Sequence, residues 1–381
     1  TFDELQRTFS ESFLEKTSDE GFFQNTLVHS IFIEPNSTHT EYAIIGASDI
    51  EPISDEKCEE IYLERYNSLP EYKFNKEGEK YELSTSILKA TLLTNIVYPV
   101  YRHGEYVIHH TPGKRWDCFY TWDSGFIGLG ILEFSPKIAE YILNTYLAEL
   151  DNKDFAFLHH GSPVPVQFYQ YLEMLKRQNN KTQLLSYYDR AKRYYNYMAG
   201  KSEGSTTRKF NNGLTTTYDY FYSTSGMDDY PAQKAMIEQK MEQNCCPVIS
   251  TSQVIRIGKI MKMIAQAIGR NDDVTEYQKD IDGFTKALSD VAWDNESGYF
   301  AYTVYDDNNN KLGFFKTEDG ENLDKGMDGI YPIIAGACNE KQKKIILSHL
   351  MNENEMKSPV GISAVDMSAG YYSDNGYWNG N

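Results

Sequence analysis

Ser135-Pro-Lys-Ile-Ala-Glu-Tyr-Ile-Leu-Asn-Thr-Tyr-Leu-Ala-Glu-Leu150 is the stretch that decides the fold class. Apolar residues three and four apart share one side of an α-helix. Ile138 and Ile142 therefore lie on one face, while Leu143, Leu147 and Leu150 line another, and the spacing predicts a helix buried on two sides. Ser135 followed by Pro136 supplies a cap and a first-turn residue whose missing N–H costs nothing there. The same advance by three or four recurs in Phe168, Leu172 and Leu175, and in Leu184, Tyr188, Ala191, Tyr195 and Met198. It recurs again in Ile257, Met261, Ile264 and Ile268, and in Ile281, Phe284, Leu288 and Val291. Strand-like runs do not alternate with these helices, so a parallel sheet is excluded. The pattern predicts a mainly α architecture, a toroid of paired helical hairpins.

Two regions depart from that period. Between Val28 and Gly46, the runs His-Ser-Ile-Phe-Ile-Glu and Tyr-Ala-Ile-Ile-Gly flank a turn-rich cluster from Pro35 to Thr40 and read as two strands. A charged connecting segment with a short helix at Asp55 to Tyr66 follows. Residues 1–80 are thus an N-terminal β element and linker, and residues 81–381 the main helical domain. The second departure follows Trp293, where Tyr-Phe-Ala-Tyr-Thr-Val-Tyr, the polar Asp306 to Asn310 and Lys-Leu-Gly-Phe-Phe spell strand, turn, strand.

The 381 residues exceed the roughly 250–300 at which one core stops growing, which fits a large domain with an appendage. A formal charge of −18 repels the phosphate backbone, so nucleic acid and anionic membrane are unsuitable partners. No run approaches the roughly 20 apolar residues of a bilayer span, and Thr1 to Lys16 lacks the apolar centre of a signal peptide. Five cysteines (Cys58, Cys118, Cys245, Cys246 and Cys338) show no metal-ligand spacing and read as reduced, buried thiols of a cytoplasmic protein. Thirty tyrosines raise the aromatic content; most serve core packing, but flat amphipathic rings also cover the apolar faces of sugars.

Two segments combine aromatics, carboxylates and glycine more densely than a core requires. In Pro112-Gly-Lys-Arg-Trp-Asp-Cys-Phe-Tyr-Thr-Trp-Asp-Ser-Gly-Phe126, Trp116 with Asp117 and Trp122 with Asp123 set a ring beside a carboxylate twice. That combination grips a pyranose by stacking and by hydrogen bonds to adjacent hydroxyls; core tryptophans with helix-capping aspartates are the competing reading. In Tyr222-Ser-Thr-Ser-Gly-Met-Asp-Asp-Tyr-Pro231, Asp228 and Asp229 follow a Ser-Gly turn that can aim a carboxyl into a pocket or cap a helix. Two weaker signals are Asp306, Asn308 and Asn310, spaced like the start of a calcium loop, and His159-His160. The first lacks glycine at the sixth position and glutamate at the twelfth, and a plain hairpin turn is favoured; the second lacks a third ligand for zinc. No organic cofactor is expected, and a structural calcium is not favoured.

The first segment resembles the trehalase signature through Pro112, Gly113, Arg115, Trp116, Asp117, Tyr120, Trp122 and Asp123. Ser225-Gly226-Met227-Asp228 is similar to the corresponding loop of glycoside hydrolase family sixty-three, the processing α-glucosidases and their bacterial relatives. Trp293-Asp294 to Gly298-Tyr299-Phe300 and Gly376-Tyr377-Trp378-Asn379-Gly380 also resemble that family, with Asn379 departing from its usual arginine. The resemblance spans about Leu83 to Asn381 and implies an (α/α)6 toroid with an N-terminal β-sandwich. It further implies an exo-acting, inverting hydrolase releasing a terminal α-linked glucose from an oligosaccharide or glucoside. Asp228 is then the general acid, its pKa raised by burial among aromatics and by Asp229. Arg115, Trp122 and Asp123 hold the terminal sugar with Trp116, Asp117 and Tyr120 adjacent, and Tyr377 and Trp378 form the opposite wall. A trehalase-like disaccharidase and a non-catalytic carbohydrate-binding protein are the alternatives. In the resembled family the general base is a glutamate beyond the last motif, so the chain is expected to be part of a longer protein that carries it. Glu318, Glu321 and Glu340 read as solvated surface rather than as that base.

Overall fold

A computed structural model describes residues 33–40, 42, 51, 53–68, 73–102, 105–110, 120–147, 149–150, 164–177, 181–216 and 225–380. The chain divides into two units, Thr1–Leu69 and Pro70–Asn381. In the first, the Asp55–Ser68 helix (α1) occupies the predicted segment, with no buried residue and with Tyr62 stacked on Tyr66 one turn away. The two strands expected between Val28 and Gly46 fall largely outside the described residues; the connecting 33–40 forms a turn.

The second unit carries the helical period. After α2 (Glu82–Thr94), a β-hairpin of β1 (Ile96–Arg102) and β2 (Glu105–His110) precedes α3 (Thr121–Ile131), α4 (Pro136–Tyr146), α5 (Val166–Arg177), α6 (Lys181–Leu185) and α7 (Tyr188–Met198). Then come α8 (Pro231–Glu238), β3 (Cys245–Cys246), α9 (Val248–Ile268) and α10 (Asn271–Ala287). Strands β4 (Trp293–Asp294), β5 (Tyr299–Phe300), β6 (Thr303–Tyr305) and β7 (Lys311–Phe314) follow, then α11 (Met327–Ile334), α12 (Glu340–Met351), β8 (Lys357–Ser358) and β9 (Gly361–Ile362).

Helix α9 is the hub because it is apolar or small on nearly every side, and it packs against α5, α7, α10 and α11. Gly269 ends it in the left-handed conformation at φ 78°, which turns the chain back so that α10 runs alongside as a hairpin. Ile257, Met261, Ile264, Ile281, Phe284 and Leu288 are all buried along this seam. On the other side, α3 lies against α4 and α5. Gly125 and Gly128 make that approach possible: a Cβ at either would collide with Val166 or Gln170 of α5.

Helix α4 meets its prediction with two corrections. Ile142, Leu143 and Leu147 are buried, but the helix stops at Tyr146 and Leu150 is exposed beyond it, so the second apolar face is shorter than the spacing implied. Ser135 occupies the cap with Pro136 behind it, yet its hydroxyl makes no capping bond to the helix. The β6–β7 hairpin forms where expected, as the outer part of a sheet ordered β3-β6-β7. Its turn is held by Asp306, whose carboxylate accepts from Asn308 N at 2.9 Å, Asn310 N at 2.8 Å and Asn310 Nδ2 at 3.0 Å. Of the thiols, Cys245 and Cys246 are buried, whereas Cys58 and Cys338 are only partly so, and Cys118 lies outside the described residues.

The tyrosine excess has a structural use. Tyr188 donates to Asp273 at 2.7 Å, Tyr195 to Asp280 at 2.9 Å, Tyr230 to Asp324 at 3.0 Å and Tyr299 to Asp366 at 2.7 Å, and Tyr302 donates to Asp328. Each ring fills core volume while its hydroxyl satisfies a carboxylate from a distant element.

Candidate active site

The first turn of α3 presents the described part of the first motif. Tyr120 is its N-cap residue, with backbone at φ −83° and ψ 113°, and its carbonyl accepts from Ser124 N at 3.1 Å. Trp122 packs edge-on to Phe126 with centroids 5.2 Å apart. Asp123 is partly buried beside it, and its carboxyl is pushed up to about 6. Burial is the main cause, its own backbone N–H pulls the other way, and the negative charge of Asp228 adds to the rise. Arg115, Trp116 and Asp117 lie outside the described residues, as do His159 and His160.

The second motif folds as a turn on top of that tryptophan. Gly226 sits at φ 79°, and a Cβ there would lie 2.6 Å from Cε3 and 2.8 Å from Cδ2 of Trp122. Only glycine gives both the left-handed backbone and the room for the indole to lie against the chain. Ser225 is buried; its hydroxyl accepts from Met227 N at 3.0 Å and from the Gln233 amide. Helix α8 starts after Tyr230 without a side-chain cap, so neither Asp228 nor Asp229 serves as its N-cap. Asp229 instead accepts from Trp378 N at 2.7 Å, which ties the last motif to this turn.

Asp228 itself is exposed. Burial among aromatics, the expected means of holding its proton, is therefore not what surrounds it. The charge of Asp228 registers at Asp123, from the first motif. Two aspartates from separate segments of the sequence are thus brought together as an interacting pair.

Beneath the turn is a cavity of about 450 Å³ whose walls include Trp122, Ser225, Met227 and Trp378. Tyr377 is 69 % exposed and does not line it, so of the two C-terminal aromatics Trp378 forms the wall. Among the lining residues absent from the motifs read in the sequence are Tyr169 on α5, Arg256 on α9 and Tyr331 on α11. The Arg256 guanidinium lies 4.4 Å from the Tyr169 ring centroid and donates to the Tyr331 hydroxyl at 3.1 Å. Burial pushes the Tyr169 hydroxyl far above its ordinary range, so it stays neutral. A weak signal for Arg256 existed: it stands between Ile255 and Ile257, both apolar, although Lys259 and Lys262 on the same helix dilute it. Glu318 and Glu340 are exposed, Glu340 pairing with Lys343, and Glu321 is taken by Lys325 at 2.8 Å and Gly370 N at 2.9 Å.

Comparison with known proteins bears on family and fold. The family model of the mannosylglycerate hydrolase MGH1-like glycoside hydrolase domain matches residues 119–381. No curated protein matches the chain. Among solved structures, the GH63 mannosylglycerate hydrolase of Thermus thermophilus in complex with Tris and D-glycerate aligns with a TM-score of 0.53 at 13 % identity, covering 77 % of this chain and 83 % of that one. The glucose complex of the same enzyme aligns with a TM-score of 0.50 at 14 % identity, covering 77 % and 82 %. A neutral trehalase of Saccharomyces cerevisiae aligns with a TM-score of 0.47 at 13 % identity, over 76 % of this chain and 65 % of that one. The family match and the two hydrolase alignments identify the fold as an (α/α)6 toroid of the family sixty-three kind, as the motifs implied.

Proposed function

Because the chain belongs to the mannosylglycerate hydrolase MGH1-like family of glycoside hydrolases, and so acts on a carbohydrate, we propose that it is an exo-acting, inverting member that releases a terminal α-linked sugar, glucose in the first instance. The observation that carries this reading is the contact of Trp122 with Gly226, which seats the Ser225–Asp228 turn on the aromatic wall of a cavity. An indole face and a carboxylate side by side are what a terminal pyranose needs for stacking and for hydroxyl recognition.

In this reading Asp228 protonates the departing glycosidic oxygen, and its exposure lets it regain a proton from water after each turnover. Asp123 holds the sugar hydroxyls. Repulsion between Asp123 and Asp228 disfavours the doubly ionised state, which helps keep one proton on the pair. Arg115, Trp116, Asp117 and Tyr120 complete the sugar subsite by the motif resemblance, with Asp229 holding Trp378 in the facing wall. Inversion also needs a carboxylate base that takes a proton from the attacking water, a role given to none of the described residues, and no cofactor is assigned.

Arg256 favours a second reading of the leaving group. It is the cationic side chain among those lining the cavity, and its contacts to Tyr169 and Tyr331 leave further guanidinium N–H donors for a ligand. A substrate whose leaving group carries a carboxylate fits that feature, and a structural neighbour is named for mannosylglycerate and was solved with D-glycerate. The test is a substrate panel of 4-nitrophenyl α-glucoside, trehalose, glucosylglycerate and mannosylglycerate, with the product anomer followed by NMR. Release of the β-anomer supports inversion at an α-linkage; retention, or tight sugar binding without turnover across the panel, overturns it. Preference for the two glycosylglycerates over trehalose selects the second reading.

A further inference from the structure

Beneath the active-site turn lie two carboxylates that the proposed mechanism does not use. Asp324 and Asp328 flank the start of α11, four residues apart, and both are fully buried. Asp324 Oδ1 accepts from the Tyr230 hydroxyl at 3.0 Å, and Asp328 Oδ2 accepts from Tyr302. Their other oxygens, Asp324 Oδ2 and Asp328 Oδ1, are buried with no hydrogen-bond partner among the described residues. A buried carboxylate oxygen left without a donor is destabilising, and two buried like charges at interaction distance are more so.

One arrangement lowers the charge penalty. We propose that Asp324 and Asp328 together hold a single proton, and that this buried acid pair, through Tyr230, positions the turn that carries Asp228 and Asp229. With one carboxyl protonated, the cluster carries one negative charge instead of two, and the protonated oxygen becomes a donor. The groups facing the pair from the surrounding elements are Tyr230, Tyr302, Tyr371 and Cys245, all neutral, and burial holds each of them well above its ordinary pKa. The adjacent cation, Lys325, turns its Nζ to Glu321. Burial first and the neighbouring acid second raise the Asp324 carboxyl well above the carboxylate range, and burial raises Asp328 to about 7.

The connection to the turn is direct. Tyr230 is fully buried and follows Asp229, and its N–H donates to Met227 O at 3.1 Å. Its hydroxyl reaches Asp324 over Gly326, where a Cβ would stand 2.7 Å from that hydroxyl oxygen, so a side chain at 326 would block the reach. The turn is thereby fixed from three sides: Trp122 under Gly226, Trp378 N on Asp229, and Asp324 on Tyr230. Asp324 is a positioning residue in this account, since it touches neither substrate nor reacting atoms.

The sign of the pH effect follows. A carboxyl whose folded pKa is raised binds its proton more tightly folded than unfolded, so its stabilisation is complete below about pH 4 and is lost as pH rises through about 7. The experiment is thermal unfolding from pH 5 to pH 8 for the native chain and for Asp324→Asn, whose amide can donate to Asp328 without titrating. The expected result is a melting temperature that falls by several degrees across that range in the native chain and a clearly flatter profile in the variant. Equal slopes overturn the proposal. Should Asp324→Asn fail to fold, infrared spectroscopy of the Asp123→Asn/Asp228→Asn double variant decides: a protonated carboxyl band that persists at pH 6.5 supports the pair, and its absence overturns it. The positioning part rests on the reading that Asp228 is the acid. Tyr230→Phe should lower kcat several-fold with KM little changed, and unchanged kcat overturns that part. Failure of the acid reading itself would show separately, as activity retained in Asp228→Asn, with the melting profiles unaffected.

Discussion

Two carboxylate pairs, Asp123–Asp228 and Asp324–Asp328, bear on the same short turn, and their surroundings are opposite. The Asp123–Asp228 pair has one exposed and one partly buried member; their chain neighbours Trp122 and Met227 line the cavity, and neither aspartate is among its walls. The Asp324–Asp328 pair has no exposure at all and is enclosed by tyrosines. The difference teaches which pair can do chemistry. A group that must deliver a proton to a ligand and recover it from water needs access, while a group that must hold a loop in place gains from its absence. Repulsion within each pair acts alike; solvent decides whether the shared proton is mobile or locked.

The largest effect expected from breaking this comparison is at the accessible acid. Asp228→Asn keeps shape but has no transferable proton, so turnover should fall roughly 10²–10⁴-fold while sugar binding stays within a few fold. Steady-state kinetics with calorimetric binding on the panel substrate that proves active measures both. Turnover near that of the native chain would remove Asp228 from the acid role and leave the partly buried Asp123, with its carboxyl pushed up to about 6, as the group to test.

Next in size is the wall on which the first pair sits. Trp122→Ala should weaken binding of an active sugar by roughly 1–3 kcal/mol through lost ring contact, with the fold retained because the ring faces a cavity. Loss of folding without a specific binding defect, read by circular dichroism beside calorimetry, would return Trp122 to the core. Gly226→Ala addresses the same contact from the other side. The left-handed backbone costs an alanine roughly 1–2 kcal/mol, and the new methyl meets the indole. Destabilisation by that amount, accompanied by a lowered kcat, is expected in denaturant unfolding and kinetics; a neutral outcome would mean that the turn shifts freely and does not depend on Trp122.

How much of this was legible in the sequence differs by range of interaction. Helices α4, α5, α7, α9 and α10 follow from local apolar spacing, and the β6–β7 hairpin follows from a polar turn that its own aspartate organises. Gly226 could be read as a turn, but its second reason, the indole of Trp122, comes from a segment about a hundred positions away and leaves no local mark. Arg256, Tyr169 and Tyr331 converge from three helices, and only an arginine between two isoleucines, one of three cations in α9, hinted at them. The Tyr–Asp pairs were hidden for the same reason: Tyr230 and Asp324 are 94 residues apart, and each alone reads as core aromatic or surface acid. The expected burial of Asp228 failed because dense aromatics in sequence do not say which carboxyl they enclose; Tyr230, two residues on, turns its hydroxyl to Asp324 instead.

A third acid sharpens the comparison with the smallest effect and the opposite sign. Asp273, at the start of α10, is partly buried, with its side chain 14 % exposed, and Tyr188 donates to it at 2.7 Å, as Tyr230 does to Asp324. The difference is a cation: Lys192 Nζ lies 2.6 Å from its other oxygen. Burial pushes the Asp273 carboxyl up, but the bonds from Lys192 and Tyr188, with Lys192 and Arg270 charges behind them, outweigh it and hold the pKa below the ordinary value. A carboxyl lowered in the folded state contributes stability that is present above its unfolded pKa, about 4, and disappears as pH falls through the folded one. Asp273→Asn should therefore cost roughly 1 kcal/mol at pH 7 and progressively less below pH 4. Urea unfolding at pH 7 and pH 3 measures it. A cost that instead grew toward acid pH would show that the tyrosine, not the lysine, sets the charge of a buried aspartate in this fold, and the contrast drawn between Asp273 and the Asp324–Asp328 pair would fall with it.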